Sequence, residues 1–580
     1  MSSSRARSSI VDFSTELLCL IIEHLPLSSH FDFALTCKTL SAASQHVLRR
    51  HQDAHKRFRV ASDLDPSTAP LLLRSAFGLG DPILAWHVRS FEVWRDRTTW
   101  AEWKSFSLTI PLQIDADCEP SDEQVSLGCA KEDLEWYREY LEKDLNDEEL
   151  ERGFDEVGGG SDGLLKALLF AKCSRLQELK FVTKSQKAGS CLYWLRIMIS
   201  NWSGERTRWP IGFFNLRHVA IGIYSRTWMD DYHFQPSTSL LAHILRLPNI
   251  DTIFFNGLRC PEDDDDANDD DDVNLWAEDT IPPRCSSVKH IFFDGPGTEL
   301  SSDFREALFI APRQLLTAAF RYSGPEGELW GASGIFGALA EFQGASLESL
   351  MWYDYDHHTI QGDHCSLSYT KEFANFQTLK QISFNIQDVE LSAYHSQRSH
   401  REDGESLENY FVRFASEAFP DNMETLVLWD TPGSGHAGDN DGKSTLLERA
   451  IVKMVKDKRY KNLKAIFLED VESTRGGPKK EALWFQEASA VGFAEGVDVH
   501  TLTSRASMKH SIKFPGPVDE YDLRTGLHSN GRPTDWVFNP YVGRWESPGC
   551  NSCGSCQRCH SEYDADLWEK NGQVSDTLDG

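Results

Sequence analysis

Long hydrophobic runs are missing from this sequence of 580 residues. No uninterrupted apolar stretch approaches the roughly 20 residues that a membrane-spanning helix requires, so we expect no membrane partner. The apolar segment LLCLII is shorter than the ~7–15 residues of a secretory signal core, and acidic residues flank it. Nine of the thirteen cysteines are scattered without obvious pairing, which is usual in a reducing compartment. We therefore expect an intracellular protein of the cytoplasm or the nucleus.

Basic residues are also in short supply. The chain has 59 Lys and Arg against 89 Asp and Glu, a formal net charge of −30. Because a nucleic-acid binder needs a basic surface, we expect no nucleic-acid partner. Part of the acidic excess is local, since residues 262–272 hold nine acidic residues in eleven positions. Such a run repels itself, which predicts a disordered acidic loop over 261–272, with docking to a basic partner as the alternative.

Residues 12–48 contain two short amphipathic helical patterns, separated at Leu25-Pro26, and a third pattern after them. In the first, residues 17 and 21 lie four apart, as do residues 18 and 22, so apolar side chains cover more than one face. Pro26 disfavours helical backbone at the residue before it, which ends the helix. A segment of about 35 residues cannot bury this much apolar surface within itself, so it should dock on another polypeptide.

This order of features resembles an F-box: a helix rich in Leu and Ile, the Leu-Pro break, then a helix ending in Leu-Thr-Cys-Lys. F-boxes usually begin with Leu-Pro, and here Phe13-Ser14 takes that place, with Ser14 and Ser29 as predicted helix caps. The resemblance implies binding to the small linker subunit of cullin-based (SCF-type) ubiquitin ligases and, through it, to the cullin. The predicted linker-binding residues are Leu17, Leu18, Ile21, Ile22, Leu25, Pro26, Phe31, Leu35 and Leu40. An ordinary three-helix start to a globular domain is the alternative.

From residue 161 onwards, a helix-like segment, a short break and a short apolar strand alternate. Ten strand segments begin at residues 176, 216, 250, 288, 316, 347, 379, 423, 463 and 497, and helices are predicted over 164–173, 240–247 and 446–455. The form Leu-x-x-Leu/Ile-x-Phe/Leu resembles the strand of leucine-rich repeats, although the asparagine ladder is missing and most steps exceed the usual ~20–29 residues. We expect an α/β solenoid with a parallel sheet over 161–503; doubly wound sheets are the alternative.

These patterns predict four regions along the chain. They are an F-box-like module over 10–50, a helical linker region over 51–160, the leucine-rich-repeat-like solenoid over 161–503, and a tail over 504–580. The linker region contains a charged, helix-like piece over 131–152.

The tail carries cysteines at three-residue intervals, namely Cys550, Cys553, Cys556 and Cys559, with His560 next. Four thiolates can hold Zn²⁺ tetrahedrally. Structural zinc sites usually place two such pairs on separate turns, and iron–sulfur runs need a different spacing, so free or redox-active thiols are the alternative. Apart from zinc at these four residues, we expect no cofactor.

Two glycine-rich patterns would indicate a nucleotide-dependent enzyme. Residues 433–438 match G-x-G-x-x-G, and residues 442–445 resemble the end of a P-loop. Nearby aspartates would repel phosphate, however, and a capped helix start explains the second pattern. His357 and His358, among aspartates, could bind a metal or line a binding rim. We predict no catalytic residues.

The sequence therefore predicts a non-catalytic, substrate-recognition adaptor of a ubiquitin ligase, whose repeats bind an unknown protein substrate. Trp352, Tyr353 and Tyr355 could contact that substrate, although packing within the repeat is the more frequent explanation for such residues. A protein-interaction scaffold without ligase activity and a nucleotide-dependent α/β enzyme are the alternatives.

Overall fold

The structure is a computed structural model with two compact units, Met1–Ile253 and Phe254–Gly580. It describes residues 10–103, 131–143, 145–203, 209–223, 236–258, 281–294, 302–322, 332–354, 375–385, 393, 397, 400–429, 443–469, 485–502, 511–512, 537–539 and 544–546. These residues hold 17 α-helices and 15 strands. No helix among them is long and apolar enough to cross a bilayer.

The first unit begins with four helices: α1 (Thr15–His24), α2 (His30–Thr36), α3 (Lys38–Ala43) and α4 (Gln45–Phe58). The predicted break is confirmed, since α1 ends at Leu25, whose ψ of 154° is extended. The predicted serine caps are wrong, because neither Ser14 nor Ser29 makes a side-chain cap hydrogen bond. Ser29 already has helical backbone within a 3-10 turn. Ser14 contributes its carbonyl instead, which accepts the Leu18 N–H at 3.1 Å.

The rest of the first unit alternates strands and helices. Five parallel strands follow one another in chain order, and the boundary between the units falls within the fifth. The elements are β1 (Val60–Ser62), α5 (Thr68–Ala76), α6 (Pro82–His87), β2 (Ser90–Val93), α7 (Lys131–Leu141), α8 (Asp147–Gly159), α9 (Gly163–Lys172), β3 (Glu178–Phe181), α10 (Cys191–Ser203), α11 (Ile211–Asn215), β4 (His218–Ile221), α12 (Thr238–Leu245) and β5 (Thr252–Asn256).

The second unit continues the same alternation, with parallel strands β6 to β12 in chain order. A separate three-stranded sheet holds β13 to β15. The elements are β6 (His290–Asp294), α13 (Ser302–Ile310), β7 (Thr317–Tyr322), α14 (Ala332–Gln343), β8 (Ser349–Asp354), β9 (Gln381–Asn385), α15 (Leu407–Glu417), β10 (Thr425–Trp429), α16 (Lys443–Lys456), β11 (Ala465–Glu469), α17 (Gln486–Glu495), β12 (Asp498–Leu502), β13 (Ser511–Ile512), β14 (Val537–Asn539) and β15 (Arg544–Glu546).

All ten predicted strand segments contain a strand, β3 to β12, and the three predicted helices correspond to α9, α12 and α16. The chain is therefore α/β with parallel strands. Their order never reverses within a unit, whereas a doubly wound sheet has a point at which it does. Five strands were missed: β1 and β2, which lie within the region predicted as a helical linker, and β13 to β15, which lie in the predicted tail. The predicted helix over 131–152 is two helices, because Asn146 starts α8 with a capping box.

One hydrogen-bond pattern repeats at the amino end of the strands. The residue just before each strand offers its carbonyl to the backbone N–H of its counterpart before the next strand; Arg59, for example, accepts from Arg89 at 3.0 Å. We call these residues the edge row. In the first unit they are Arg59, Arg89, Gln177 and Arg217, with Asp251 as the last N–H donor, and in the second unit Lys289, Leu316, Glu348, Lys380, Glu424 and Lys464.

Candidate partner-docking surface

The inner faces of the opening helices are packed within the chain. Leu18, Leu40 and Ala43 form one buried cluster, which half-buried residues of α1 and α2 border. Ile22 packs in a second cluster with Val47 of α4 and Ile83 of α6. The helices therefore bury their inner faces partly against α4, which extends beyond the predicted 10–50 module, and against α6, which lies outside it.

The outer faces carry large apolar side chains that nothing in the described structure covers. Phe13, Leu17 and Leu20 follow one another at helical spacing along α1, and each is roughly half exposed. On α2, Phe31 and Leu35 lie four residues apart, and Leu35 is 82 % exposed. We call these five residues the docking face. Exposed apolar side chains concentrated in this way are typical of protein-interaction sites.

The structure divides the nine predicted linker-binding residues into three groups. The exposed residues are Leu17, Pro26, Phe31 and Leu35, the half-buried ones are Ile21 and Leu25, and the buried ones are Leu18, Ile22 and Leu40. Since the buried three are at most 2 % exposed, their side chains are not available to a partner in this conformation. They hold the helices together instead, and their interpretation as contact residues is corrected accordingly. Phe13 and Leu20 are exposed residues that the predicted set did not include.

An ion network fixes α1 against the neighbouring helices. The Arg50 guanidinium, on α4, donates to both carboxylate oxygens of Glu23 at 2.8 and 2.9 Å and to those of Asp81 at 2.7 and 3.1 Å. Asp81 also caps α6 by accepting the Ile83 N–H at 3.0 Å. Burial acts to raise the pKa of Glu23 and of Asp81, but the hydrogen bonds from Arg50 outweigh it and hold both below their usual values.

Three buried imidazoles connect α2, α4 and α6. His30 Nδ1 lies 2.9 Å from His51 Nε2, and His51 Nδ1 lies 2.8 Å from His87 Nε2. His30 Nε2 lies 3.1 Å from the Leu25 carbonyl oxygen, so it must donate there. Neutral rings satisfy the whole relay when each carries its proton on Nε2. Burial, and then the charge of neighbouring histidines, lowers the pKa of His51 and of His87 to about 4. A second proton on His51 would place an N–H on Nδ1 against the N–H of His87 Nε2 and break the relay between α4 and α6.

A second polar cluster lies at the carboxyl ends of β1 and β2 and is fully buried. Lys166 Nζ, on α9, is 2.7 Å from an Asp63 carboxylate oxygen and 2.9 Å from an Asp162 oxygen. Arg97 Nη1 lies 3.0 Å from the same Asp162 oxygen, and Arg97 Nη2 donates to the Asp63 carbonyl at 2.6 Å. Two cations and two carboxylates thus balance one another. Sequence reasoning missed this cluster because it missed the two strands that precede Asp63 and Asp96.

Asp96 is the fifth ionisable group of that cluster and has no cation of its own. Its carboxylate accepts the Cys191 N–H at 2.8 Å. Burial raises the pKa of Asp96 to about 7, against the opposing charge of Lys166. Burial also raises the pKa of the Cys191 thiol, so this cysteine is not an activated nucleophile. The cluster is therefore a structural tie between strand ends and helix starts rather than a reaction centre.

Several sequence motifs lie outside the described residues. These are the tail residues Cys550, Cys553, Cys556 and Cys559, the glycines over 433–438, His357 and His358, Tyr355 and the acidic run 261–272. Over the described residues, no group of three or more His, Cys, Asp or Glu is arranged to hold a metal ion.

Comparison with known proteins assigns no family. No protein-family model matches the chain, and no curated protein matches it. The functional argument therefore depends on the geometry of the docking face and on the repeat.

Proposed function

We propose that this chain is the substrate receptor of a cullin-based ubiquitin ligase. Helices α1 to α3 form an F-box that binds the linker subunit through the docking face, and the strand–helix repeats, a degenerate leucine-rich-repeat solenoid, bind a protein substrate. The chain itself is not an enzyme and needs no cofactor, because a receptor accelerates transfer by placing substrate and ubiquitin-loaded enzyme together.

The observation that supports this proposal most strongly is the pair of uncovered apolar strips on α1 and α2. Burial of one such side chain contributes roughly 1.5–3 kcal/mol, so five of them supply a substantial part of a stable interface before the costs of association. The order of helices around Leu25 and Pro26, which resembles an F-box, supports the linker subunit as the partner.

The test is capture of the linker subunit by purified full-length protein. A Leu17→Asp, Leu35→Asp double variant changes only exposed side chains, so it should fold normally and lose capture by at least about tenfold, because it places two charges in an apolar interface. The matched control is Leu407→Asp with Phe493→Asp, whose side chains are 54 % and 89 % exposed on α15 and α17. That control should capture the linker as the wild type does.

Equal capture by the docking-face variant and the wild type would show that the docking face is not the interface. Reconstituted ubiquitination then separates a ligase receptor from a scaffold: a scaffold binds its partner and leaves it unmodified. Since the proposed receptor carries its client to the ligase, the linker, the cullin and a modified client should be recovered together.

A further inference from the structure

The edge row has a different charge pattern in each unit. In the second unit four of its charges form two ion pairs: Lys380 Nζ lies 2.9 Å from the Glu348 carboxylate, and Lys464 contacts Glu424. In the first unit the row has arginine at positions 59, 89 and 217, and its one acidic residue is Asp251, just before β5. None of these three arginines forms an ion pair within the described structure. In a chain of net charge −30, such a row is conspicuous.

Arg59 and Arg89 occupy adjacent positions of that row, and Arg175 lies close to them. The Arg175 guanidinium stacks 4.0 Å from the centre of the Trp86 ring, and Arg89 lies 5.8 Å from the same ring. Burial, followed by repulsion from Arg175 and Arg59, lowers the pKa of Arg89 to about 10. Arg89 and Arg175 therefore lie over one half-buried indole, and both Arg175 and Arg59 are close enough to Arg89 to repel it.

The hydrogen bonds of Arg89 leave the Nε and Nη2 side of its guanidinium free. Its Nη1 donates to the Trp86 carbonyl at 2.9 Å and to the Val88 carbonyl at 3.0 Å. Both protons of Nη1 are used in this way, whereas Nε and Nη2 donate to no described residue. That pair of N–H groups is the fork with which arginine binds two oxygens of one oxyanion. The Trp86 ring supports the neighbouring Arg175 guanidinium from one face.

We propose that Arg59, Arg89 and Arg175, arranged around Trp86, form a binding site for a phosphate monoester. A dianion compensates three adjacent cations better than a single carboxylate does, and its oxygens match the free arginine fork. The phosphate is carried either by a small molecule or by a phosphorylated protein segment; the chemistry that recognises it is the same. The site shares no residue with the docking face and does not depend on the proposed function.

Fluorescence anisotropy with full-length protein tests the site. The probe is a labelled, otherwise uncharged peptide with one phosphoserine, beside its unphosphorylated counterpart, and inorganic phosphate is the competitor. The wild type should bind the phosphorylated peptide at least tenfold more tightly, and phosphate should displace it. If the peptide binds more tightly than free phosphate, the site takes a protein segment; if the two bind alike, it takes a small phosphate compound.

Variants assign the binding to these arginines. Arg89→Gln with Arg175→Gln should weaken it at least tenfold. Arg89→Lys with Arg175→Lys keeps the charges but loses the fork and the stacking, so an intermediate loss is expected. Lys464→Gln is the matched control, because it removes a paired cation from the edge row, and it should bind as the wild type does. The proposal is overturned if the folded glutamine variant binds the phosphopeptide as tightly as the wild type does. It is also overturned if the wild type shows no preference for the phosphorylated peptide. Neither result affects linker capture, which tests the proposed function independently.

Discussion

The Lys166 ammonium lies 2.7 Å from the Asp63 carboxylate, and both side chains are almost completely buried. This contact joins helix α9 to the residue that follows strand β1. Burying charges costs free energy that their mutual attraction offsets only when every charge keeps a partner. Lys166 is the shared partner of several buried acceptors, since it also contacts Asp162 and the Arg95 carbonyl.

Replacing Lys166 by methionine should destabilise the protein by about 3–5 kcal/mol, because the buried carboxylates lose their shared cation. Chemical unfolding monitored by circular dichroism measures the change. Lys380→Met is the control, since its ion pair with Glu348 is more than 40 % exposed and should contribute at most about 1 kcal/mol. Equal losses of unfolding free energy in the two variants would show that the buried cluster stabilises the protein no more than the exposed ion pair does.

Asp96→Asn should stabilise the protein at alkaline pH. The folded-state pKa of Asp96, about 7, lies above the ordinary value of 3.8, because burial disfavours the charged form. Its contribution to stability is therefore complete below pH 3.8 and is lost as the pH rises to about 7. The asparagine variant avoids this loss and should gain on the order of 2 kcal/mol relative to the wild type between pH 5 and pH 8. Urea unfolding at the two pH values measures it, and a constant difference would contradict the assignment.

The histidine relay should make the protein sensitive to acid. The folded-state pKa values of His51 and His87, about 4, lie below the ordinary value of 6.5. Their contribution to stability is present above pH 6.5 and is lost as the pH falls towards 4. The unfolding free energy of His51→Gln should therefore fall less steeply with decreasing pH over this range, by up to about 1.4 kcal/mol per pH unit. His24→Gln, at an exposed position on α1, should keep the wild-type slope.

Gly212→Ala should be strongly destabilising. A methyl group there would lie 1.8 Å from the Phe170 carbonyl oxygen, because α11 passes directly over the end of α9. Gly158→Ala is the matched control: it lies in α8 with open space around it and should raise stability by roughly 0.5–1 kcal/mol. Thermal unfolding distinguishes the two, and a tolerated alanine at 212 would show that α11 can move away from α9.

The repeated apolar pattern predicted strands β3 to β12 because short apolar segments recur after helix-like stretches, and the segments at 176, 347, 379 and 463 share Leu-x-x-Leu/Ile spacing. Strands β1 and β2 escaped prediction for a physical reason. They are only three and four residues long, and they owe their pairing to neighbours that are distant in sequence, such as Glu178 opposite Ser90. Local propensity carries little information about such short strands.

The side of a helix that meets a partner was harder to predict than the helix itself. Leu17 and Leu18 are adjacent and chemically identical, yet one is half exposed and the other is buried. The difference arises because α3, at Leu40 and Ala43, covers Leu18, whereas nothing described covers Leu17. The buried charges were equally hard to predict, because a lysine at 166 with an aspartate four residues earlier is typical of a helix surface, and its other partner, Asp63, is distant in sequence.

The chain-order arrangement of strands also affects how each unit assembles. Each strand of the main sheet lies beside the strand that comes next along the chain, so most loops close at a low entropic cost; the long connection from β2 to β3 is an exception. Folding can start at several points along a unit and spread outward, one strand and one helix at a time. A single disruptive replacement should then melt its immediate surroundings first and leave remote segments protected from hydrogen exchange.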